Sequence, residues 1–302
     1  MSKVARTSVL AALLLTPALA AAQEIRQAGA PVNGTMQPAD SAAQAPATVA
    51  TPAKQIRVRP PSIFTKRDFA ITAGFSAGAL ALLPHDRAIT QWTRDPGRLE
   101  SGAWSSTMEA VETAYEMGPL VAGAGFWIGG LVARNRPVAD MGFHTLAVLG
   151  VNQQVTHMLK GAFGRSRPYV SGDSLSSDWR FGSGFAAGTD RRSFPSGHTS
   201  QAFAFATVMS HEISRNWPRA GKIATPLLFA GATGAGVARI YHDKHWASDV
   251  AVGAALGMLN ANATLRFLHG RPNNWLDRLA HNTTIMPNAE GGATVAVSFK
   301  TK

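Results

Sequence analysis

Apolar residues recur along this chain in runs with helical spacing, separated by prolines, glycines and polar turns. The pattern predicts helices at 69–83, 85–94, 103–116, 141–159, 199–213, 222–238 and 247–268, with a further apolar stretch at 120–132. Lys160 is expected to close the helix at 141–159. Alternation typical of a strand occurs only at 293–299, which predicts at most a short, lone C-terminal strand. The predicted fold class is therefore all-α, a multi-helix bundle.

The first 62 residues differ in composition from the helical body. Lys3 and Arg6 precede an apolar run at 9–15, and small residues follow up to position 22. This order is typical of a secretory signal peptide, here 1–22, whose apolar run is too short to span a bilayer. Residues 23–62 are rich in Ala, Pro, Gln and Thr and lack the apolar side chains that a core needs, so they predict a disordered linker. We therefore expect the protein to be exported.

Composition and charge restrict the chemistry of the chain. Its 302 residues, 45% of them hydrophobic, suit one main domain with extensions. There is no cysteine, so disulfides, thiolate metal sites and a catalytic thiol are excluded. A formal net charge of +11 favours an anionic partner. Three classes of partner fit this charge: nucleic acid, a phospholipid surface and a phosphorylated substrate. Charge alone does not choose among them.

A basic turn near position 245 contains the first candidate catalytic residues, Arg239, His245 and Asp249. If a helix begins near His245, Asp249 lies four residues on and shares its face. Its carboxylate can then hold one imidazole nitrogen while the other points outward. Arg239 adds a fixed positive charge that suits a phosphate oxyanion. A surface turn with scattered charges explains this segment, taken alone, equally well.

Two further clusters point to anion binding. Arg167 follows Lys160 by seven residues, at the exit of a predicted helix, where side chains can converge on one pocket. The sequence Pro-Ser-Gly-His at 195–198 introduces the apolar run at 199–213. Such a turn at a helix start offers free backbone N–H groups and the positive end of the helix dipole, which together form an anion cradle. His198 would stand beside that cradle.

In order and spacing, three segments resemble the three-part signature of the PAP2 phosphatase and vanadium haloperoxidase superfamily. They are Lys160-x6-Arg167-Pro168, Pro195-Ser196-Gly197-His198 and Arg239-x5-His245-x3-Asp249. The resemblance implies a PAP2-type helical bundle, with a phosphatase domain at 63–270 and a C-terminal extension at 271–302. The family usually has Ser before the arginine of the third motif. This chain has Ala238 there, which loses at most one hydrogen bond to phosphate.

The resemblance also implies how the phosphate group would be bound. The cations Lys160, Arg167 and Arg239 would neutralise the phosphate oxygens. Ser196 and the backbone N–H of Gly197 would complete the cradle. Preorganised charges of this kind supply much of the barrier reduction in phosphate transfer.

For the reaction itself, the resemblance implies three roles. His245 would attack phosphorus to form a phosphohistidine, Asp249 would orient and stabilise it, and His198 would protonate the leaving oxygen. No metal or organic cofactor is implied. A metal site at 242–245 is disfavoured because Arg239 and its neighbouring lysine would repel a cation.

The predicted function is hydrolysis of phosphate monoesters or pyrophosphate esters, with a lipid phosphate or isoprenoid pyrophosphate as the favoured substrate. The expected partners are a phosphorylated lipid and a membrane, not nucleic acid, with the active site in the periplasm or on the non-cytoplasmic membrane face. The alternatives are a soluble acid phosphatase, a vanadate-dependent haloperoxidase and a non-catalytic basic protein that binds anions or membranes. The sequence does not indicate the oligomeric state. Histidines without motif context are predicted to be ordinary surface or core residues: His144, His157, His211, His269 and His281.

Overall fold

The computed structural model describes residues 62–93, 102–170, 176–186, 188–271, 274–287 and 293–298. The signal peptide predicted for 1–22 lies outside these residues, as does the linker predicted for 23–62 apart from Ser62. Both stay predictions.

The described helices are α1 Lys66–Leu82, α2 Asp86–Thr93, α3 Gly102–Val132, α4 Arg136–Phe163, α5 Gly197–Asn216, α6 Pro218–Tyr241, α7 Ala247–Gly270 and α8 Trp275–His281. Two strands follow, β1 Thr283–Pro287 and β2 Ala293–Val297. The all-α prediction is confirmed for the body of the protein. The expectation of a lone strand is wrong, because β2 pairs antiparallel with β1 and so satisfies its backbone groups.

Helix α5 is central and packs against α4, α6 and α7. Its alanines at 202, 204 and 206 are fully buried, and small side chains let the neighbouring helices approach closely. Two glycines of α7 continue this close contact. A Cβ at Gly253 would lie 2.6 Å from the carbonyl oxygen of Ser196, and one at Gly257 would lie 2.2 Å from that of Ser200. The start of α7 is therefore held directly against the start of α5, where two of the three motifs lie.

Helices α3 and α4 differ most from the sequence prediction. Helix α3 continues through Pro119, so the predicted helix at 103–116 and the apolar stretch at 120–132 form one element. A proline removes one helical hydrogen bond, but the apolar side chains on both sides continue the same helix. Helix α4 begins five residues earlier than predicted, where the Asn135 side chain caps it, and ends at Phe163. Lys160 therefore lies within the last turn of α4 and does not close it.

The segment between α4 and α5 is anchored to the bundle where it is described. Gly164 adopts φ 57°, and a Cβ there would lie 2.0 Å from the carbonyl oxygen of Arg180, so glycine is required at this turn. Ser166 and Arg167 donate backbone hydrogen bonds of 3.0 Å to the carbonyl oxygens of Asp178 and Asp190. Aromatic rings in contact cover the same turn: Phe163, Trp179, Phe181 and Phe194. These contacts fix the backbone of 165–167 beside the start of α7.

The outer faces of several helices are apolar. Large exposed hydrophobic side chains on α1, α3 and α6 are Phe69, Leu80, Leu120, Val121, Ile128, Val132, Ile223 and Leu227. Among the described helices, α6 alone has the length and composition to cross a bilayer. Exposed apolar side chains of this size are compatible with contact with a membrane or another protein.

Candidate active site

All three motifs meet at one end of the bundle. Lys160 comes from the last turn of α4, 196–198 from the start of α5, and Arg239 from the last turn of α6. His245 and Asp249 lie on either side of the first residue of α7. The fold therefore brings the predicted site residues together. In the sequence they span 89 positions, from Lys160 to Asp249.

His245 is buried at the centre of this group, with a relative exposure of 1%. The expectation that a helix begins near His245 is confirmed, because α7 begins at Ala247 with Trp246 as its N-cap. Asp249 is the third residue of α7, and its Oδ2 atom accepts a 3.0 Å hydrogen bond from the backbone N–H of Trp246. The Nδ1 atom of His245 lies 3.8 Å from Oδ2 of Asp249, too far for a hydrogen bond, so the two side chains face each other without a direct bond.

The electrostatic environment keeps the His245 imidazole neutral. Full burial lowers its pKa well below the ordinary value, and the positive charges of Lys160, Arg167 and Arg239 lower it further. Burial also lowers the pKa of Lys160, to about 7, with Arg167 contributing in the same direction. A neutral imidazole has a free lone pair, which a nucleophile requires.

The second motif and Lys160 form one wall of the site. A Cβ at Gly197 would lie 3.2 Å from Cε of Lys160, so the lysine side chain lies directly against the start of α5. Its Nζ atom donates a 2.6 Å hydrogen bond to the carbonyl oxygen of Arg192. Ser196 is fully buried, and its Oγ atom lies 2.8 Å from Oγ1 of Thr199. Either hydroxyl can donate in this pair, so Ser196 can donate its own proton to a phosphate when Thr199 donates to Ser196.

The two arginines of the site already have partners. Nε of Arg167 donates a 2.9 Å hydrogen bond to the carbonyl oxygen of Thr189. The Arg239 guanidinium is paired with the carboxylate of Glu112 on α3, which also contacts His242. Sequence reasoning missed Glu112, because it lies 127 residues from Arg239 and belongs to no motif. A phosphate bound to Arg239 would compete with this carboxylate.

Arg165 holds Asp249 from the opposite side. Its Nη1 atom lies 2.5 Å from Oδ1 of Asp249, and its Nη2 atom lies 2.8 Å from Oδ2 of Asp86. Ser193 donates a 2.5 Å hydrogen bond to Oδ2 of Asp249. All four side chains are fully buried. Sequence reasoning missed Arg165 and Asp86; the only available indication was an extra arginine two positions before Arg167, inside the first motif.

Comparison with known proteins finds a family match that includes this site. Residues 142–273 match the model of the PAP2 superfamily. The match covers less than half of the chain and contains all eight predicted site residues. A segment of 72 residues is 42% identical to the lipid A 1-phosphatase of Porphyromonas gingivalis. The similarity spans 24% of this chain and 15% of the length of that relative.

Two solved structures are also similar. One is a transmembrane PAP2 type phosphatidylglycerolphosphate phosphatase from Bacillus subtilis, with a TM-score of 0.51 and 20% identity over 67% of this chain and 96% of that one. The other is LpxE from Aquifex aeolicus, with a TM-score of 0.41 and 23% identity over 58% of this chain and 93% of that one. The first similarity shows that the two proteins share a fold.

Proposed function

We propose that this protein is a PAP2-type phosphatase that hydrolyses a phosphate monoester or pyrophosphate ester of a lipid through a phosphohistidine. The observation that carries the proposal is the position of His245. A buried imidazole with a depressed pKa lies among Lys160, Arg167 and Arg239. A cluster of cations around a neutral nucleophile suits attack on a phosphate group, whose oxygens those cations neutralise.

In the proposed reaction, the Nε2 lone pair of His245 attacks phosphorus, because Nδ1 faces Asp249. The bond from phosphorus to the ester oxygen breaks, and His198 transfers a proton to that oxygen. Asp249 stabilises the positive charge that develops on the imidazole. Water then attacks the phosphohistidine, His198 takes a proton from this water, and phosphate leaves.

A lipid substrate is supported by two independent features. The relative that shares 42% identity over 72 residues is a lipid A 1-phosphatase, and those residues are about a quarter of this chain. The exposed apolar side chains of α1, α3 and α6 suit contact with a bilayer. Together with the signal peptide expected at 1–22, they support a membrane-associated enzyme whose site faces the non-cytoplasmic side.

The proposal is tested by assaying the purified protein on detergent-dispersed phosphatidic acid and on nitrophenyl phosphate, each with EDTA or vanadate. We expect hydrolysis in EDTA and inhibition by vanadate, because vanadate adopts the five-coordinate geometry of the transition state. A higher kcat/KM for the lipid supports the lipid substrate, and the reverse order indicates a soluble acid phosphatase. Phosphatase activity that requires an added divalent ion would contradict the mechanism.

His198→Ala should slow the enzyme in a way that depends on the leaving group. General acid catalysis contributes about 10²–10⁴-fold, and its benefit shrinks when the leaving oxygen is stable as an anion. We expect a loss in this range for an alkyl phosphate and a much smaller loss for nitrophenyl phosphate. The matched control is His211→Ala, which removes an exposed histidine of the same helix. Equal losses for both substrates would show that His198 does not protonate the leaving group.

The activity should fall as pH rises through about 7, because the pKa of Lys160 is lowered to about 7 and the free enzyme then loses a phosphate-binding charge. In acid, activity should fall only well below pH 6.5, where His245 becomes protonated. The measurement is kcat/KM against pH for the wild type and Lys160→Arg. The arginine stays protonated, so the alkaline fall should move upward. Identical profiles for both proteins would assign that fall to another group, either the substrate or His198, whose pKa burial and the charge of Lys160 also lower.

A further inference from the structure

A second cluster of ionisable side chains lies at the opposite end of the bundle from the candidate active site. It contains His144 of α4, Glu212 of α5 and His269 of α7. Glu212 is 14 residues beyond His198 on one helix, which corresponds to about 21 Å along the helix axis. His144 and Glu212 are buried, and His269 is partly exposed. None of the three belongs to the PAP2 motifs, and the sequence predicted the two histidines to be ordinary surface or core residues.

The imidazoles of His144 and His269 both contact the same carboxylate oxygen of Glu212. Oε1 of Glu212 lies 2.8 Å from Nδ1 of His144 and 2.9 Å from Nε2 of His269. One ligand atom from each residue lies within 4.8 Å of the others. Tetrahedral zinc, with bonds of about 2.0–2.1 Å, holds its ligand atoms about 3.3 Å apart. Small side-chain shifts would therefore suffice to admit an ion between these three atoms.

Asp277 supplies a second and independent observation. Its Oδ1 atom is buried without a hydrogen-bond partner and lies 3.8 Å from Nε2 of His144, the ring nitrogen that faces away from Glu212. Its other carboxylate oxygen accepts a 2.7 Å hydrogen bond from the Asn274 side chain, which orients it. A carboxylate behind the far nitrogen is the usual outer partner of a metal-binding histidine.

We propose that His144, Glu212 and His269 form a structural site for Zn²⁺, with Asp277 orienting His144 and water completing the coordination. Two imidazoles and a carboxylate are a donor set that zinc accepts. The nearby cation Arg266 is committed to Asp68, with which it makes two contacts of 2.5 and 2.8 Å, so its charge is largely balanced. The ion would join α4, α5 and α7, three helices of the bundle core. At about 21 Å from His198, it would not touch the substrate.

The test uses the purified full-length protein stripped of metal and titrated with Co²⁺, whose visible absorption reports tetrahedral coordination, and with Zn²⁺ in thermal unfolding. We expect about one Co²⁺ per chain with a visible band, and a higher Tm with Zn²⁺. His269→Ala and Glu212→Gln should abolish both effects. Asp277→Asn should weaken binding about 10–100-fold. His211→Ala is the matched control, because its ring lies 5.6 Å from that of His269 but outside the ligand set.

Each outcome decides the proposal. A wild-type protein without a Co²⁺ band or a Zn²⁺-dependent Tm would overturn it and leave a hydrogen-bonded triad. Loss of the band in His211→Ala would overturn this ligand set. The wild-type measurements stand even if a variant fails to fold. Absence of metal binding would be distinguishable from absence of the proposed phosphatase activity, because we expect kcat at 25 °C to be unchanged when the ion is removed.

Discussion

His245→Ala should abolish turnover of every phosphate ester and prevent formation of an acid-labile phosphoenzyme. The substitution removes the atom that would bond to phosphorus, while Lys160, Arg167 and Arg239 still bind the phosphate. Loss of a nucleophile typically costs about 10⁶-fold in kcat, and the remaining cations give only residual catalysis. The measurements are single-turnover kinetics and trapping of labelled phosphate on the protein in base, where phosphohistidine is stable. Substrate binding should persist, because the cations that supply it are still present.

The matched control for this variant is His242→Ala, which removes a histidine three positions earlier in the same turn. His242 is partly exposed and contacts Glu112, whereas His245 is fully enclosed. The control should still form the phosphoenzyme. A phosphoenzyme trapped in His245→Ala at the wild-type level would assign the nucleophile to another residue. A loss of the phosphoenzyme in both variants would indicate damage to the turn itself.

The helical body and the meeting of the three motifs were accessible from the sequence, since both rest on local pattern and spacing. Apolar periodicity predicted most helices to within a few residues. The precise start of α7 was not accessible. Asp249 was expected to face His245 from one helix turn away, but its carboxylate caps the helix at Trp246. The same carboxylate can serve either contact, and only the packed structure decides between them.

Contacts between distant parts of the chain were inaccessible for a different reason. Arg239 pairs with Glu112, 127 residues earlier, and Arg165 pairs with Asp86, 79 residues earlier. Neither acidic residue stands in a motif, and neither helix that carries it was predicted to face the site. Charge pairing in a buried position depends on which helices pack together, and the period of one helix contains no information about its neighbour. The same limit explains why His144 and His269 were not linked to Glu212.

Arg165→Met should destabilise the protein strongly. Arg165 lies fully buried between the carboxylates of Asp249 and Asp86, at 2.5 and 2.8 Å. Methionine replaces the aliphatic stem of arginine but lacks the guanidinium, so two buried carboxylates would face each other without a cation. Removing one partner of a buried ion pair typically costs about 3–5 kcal/mol. The measurement is the free energy of unfolding in denaturant, with Arg191→Met as the control. Arg191 pairs with the partly exposed Asp178, and such a pair contributes about 0–1 kcal/mol.

Arg165→Met should also slow the reaction, because Asp249 would lose the guanidinium that orients its carboxylate. Arg165 touches neither His245 nor the phosphate-binding cations in the described structure, so it is a positioning residue. At a temperature where Arg165→Met remains folded, we expect kcat to fall while KM changes little, because the cations that bind phosphate are still in place. The double variant Arg165→Met with Asp86→Asn removes one of the two unpaired charges and should recover part of the stability, but not the kcat. Equal recovery of both would mean that Arg165 stabilises the fold without orienting Asp249.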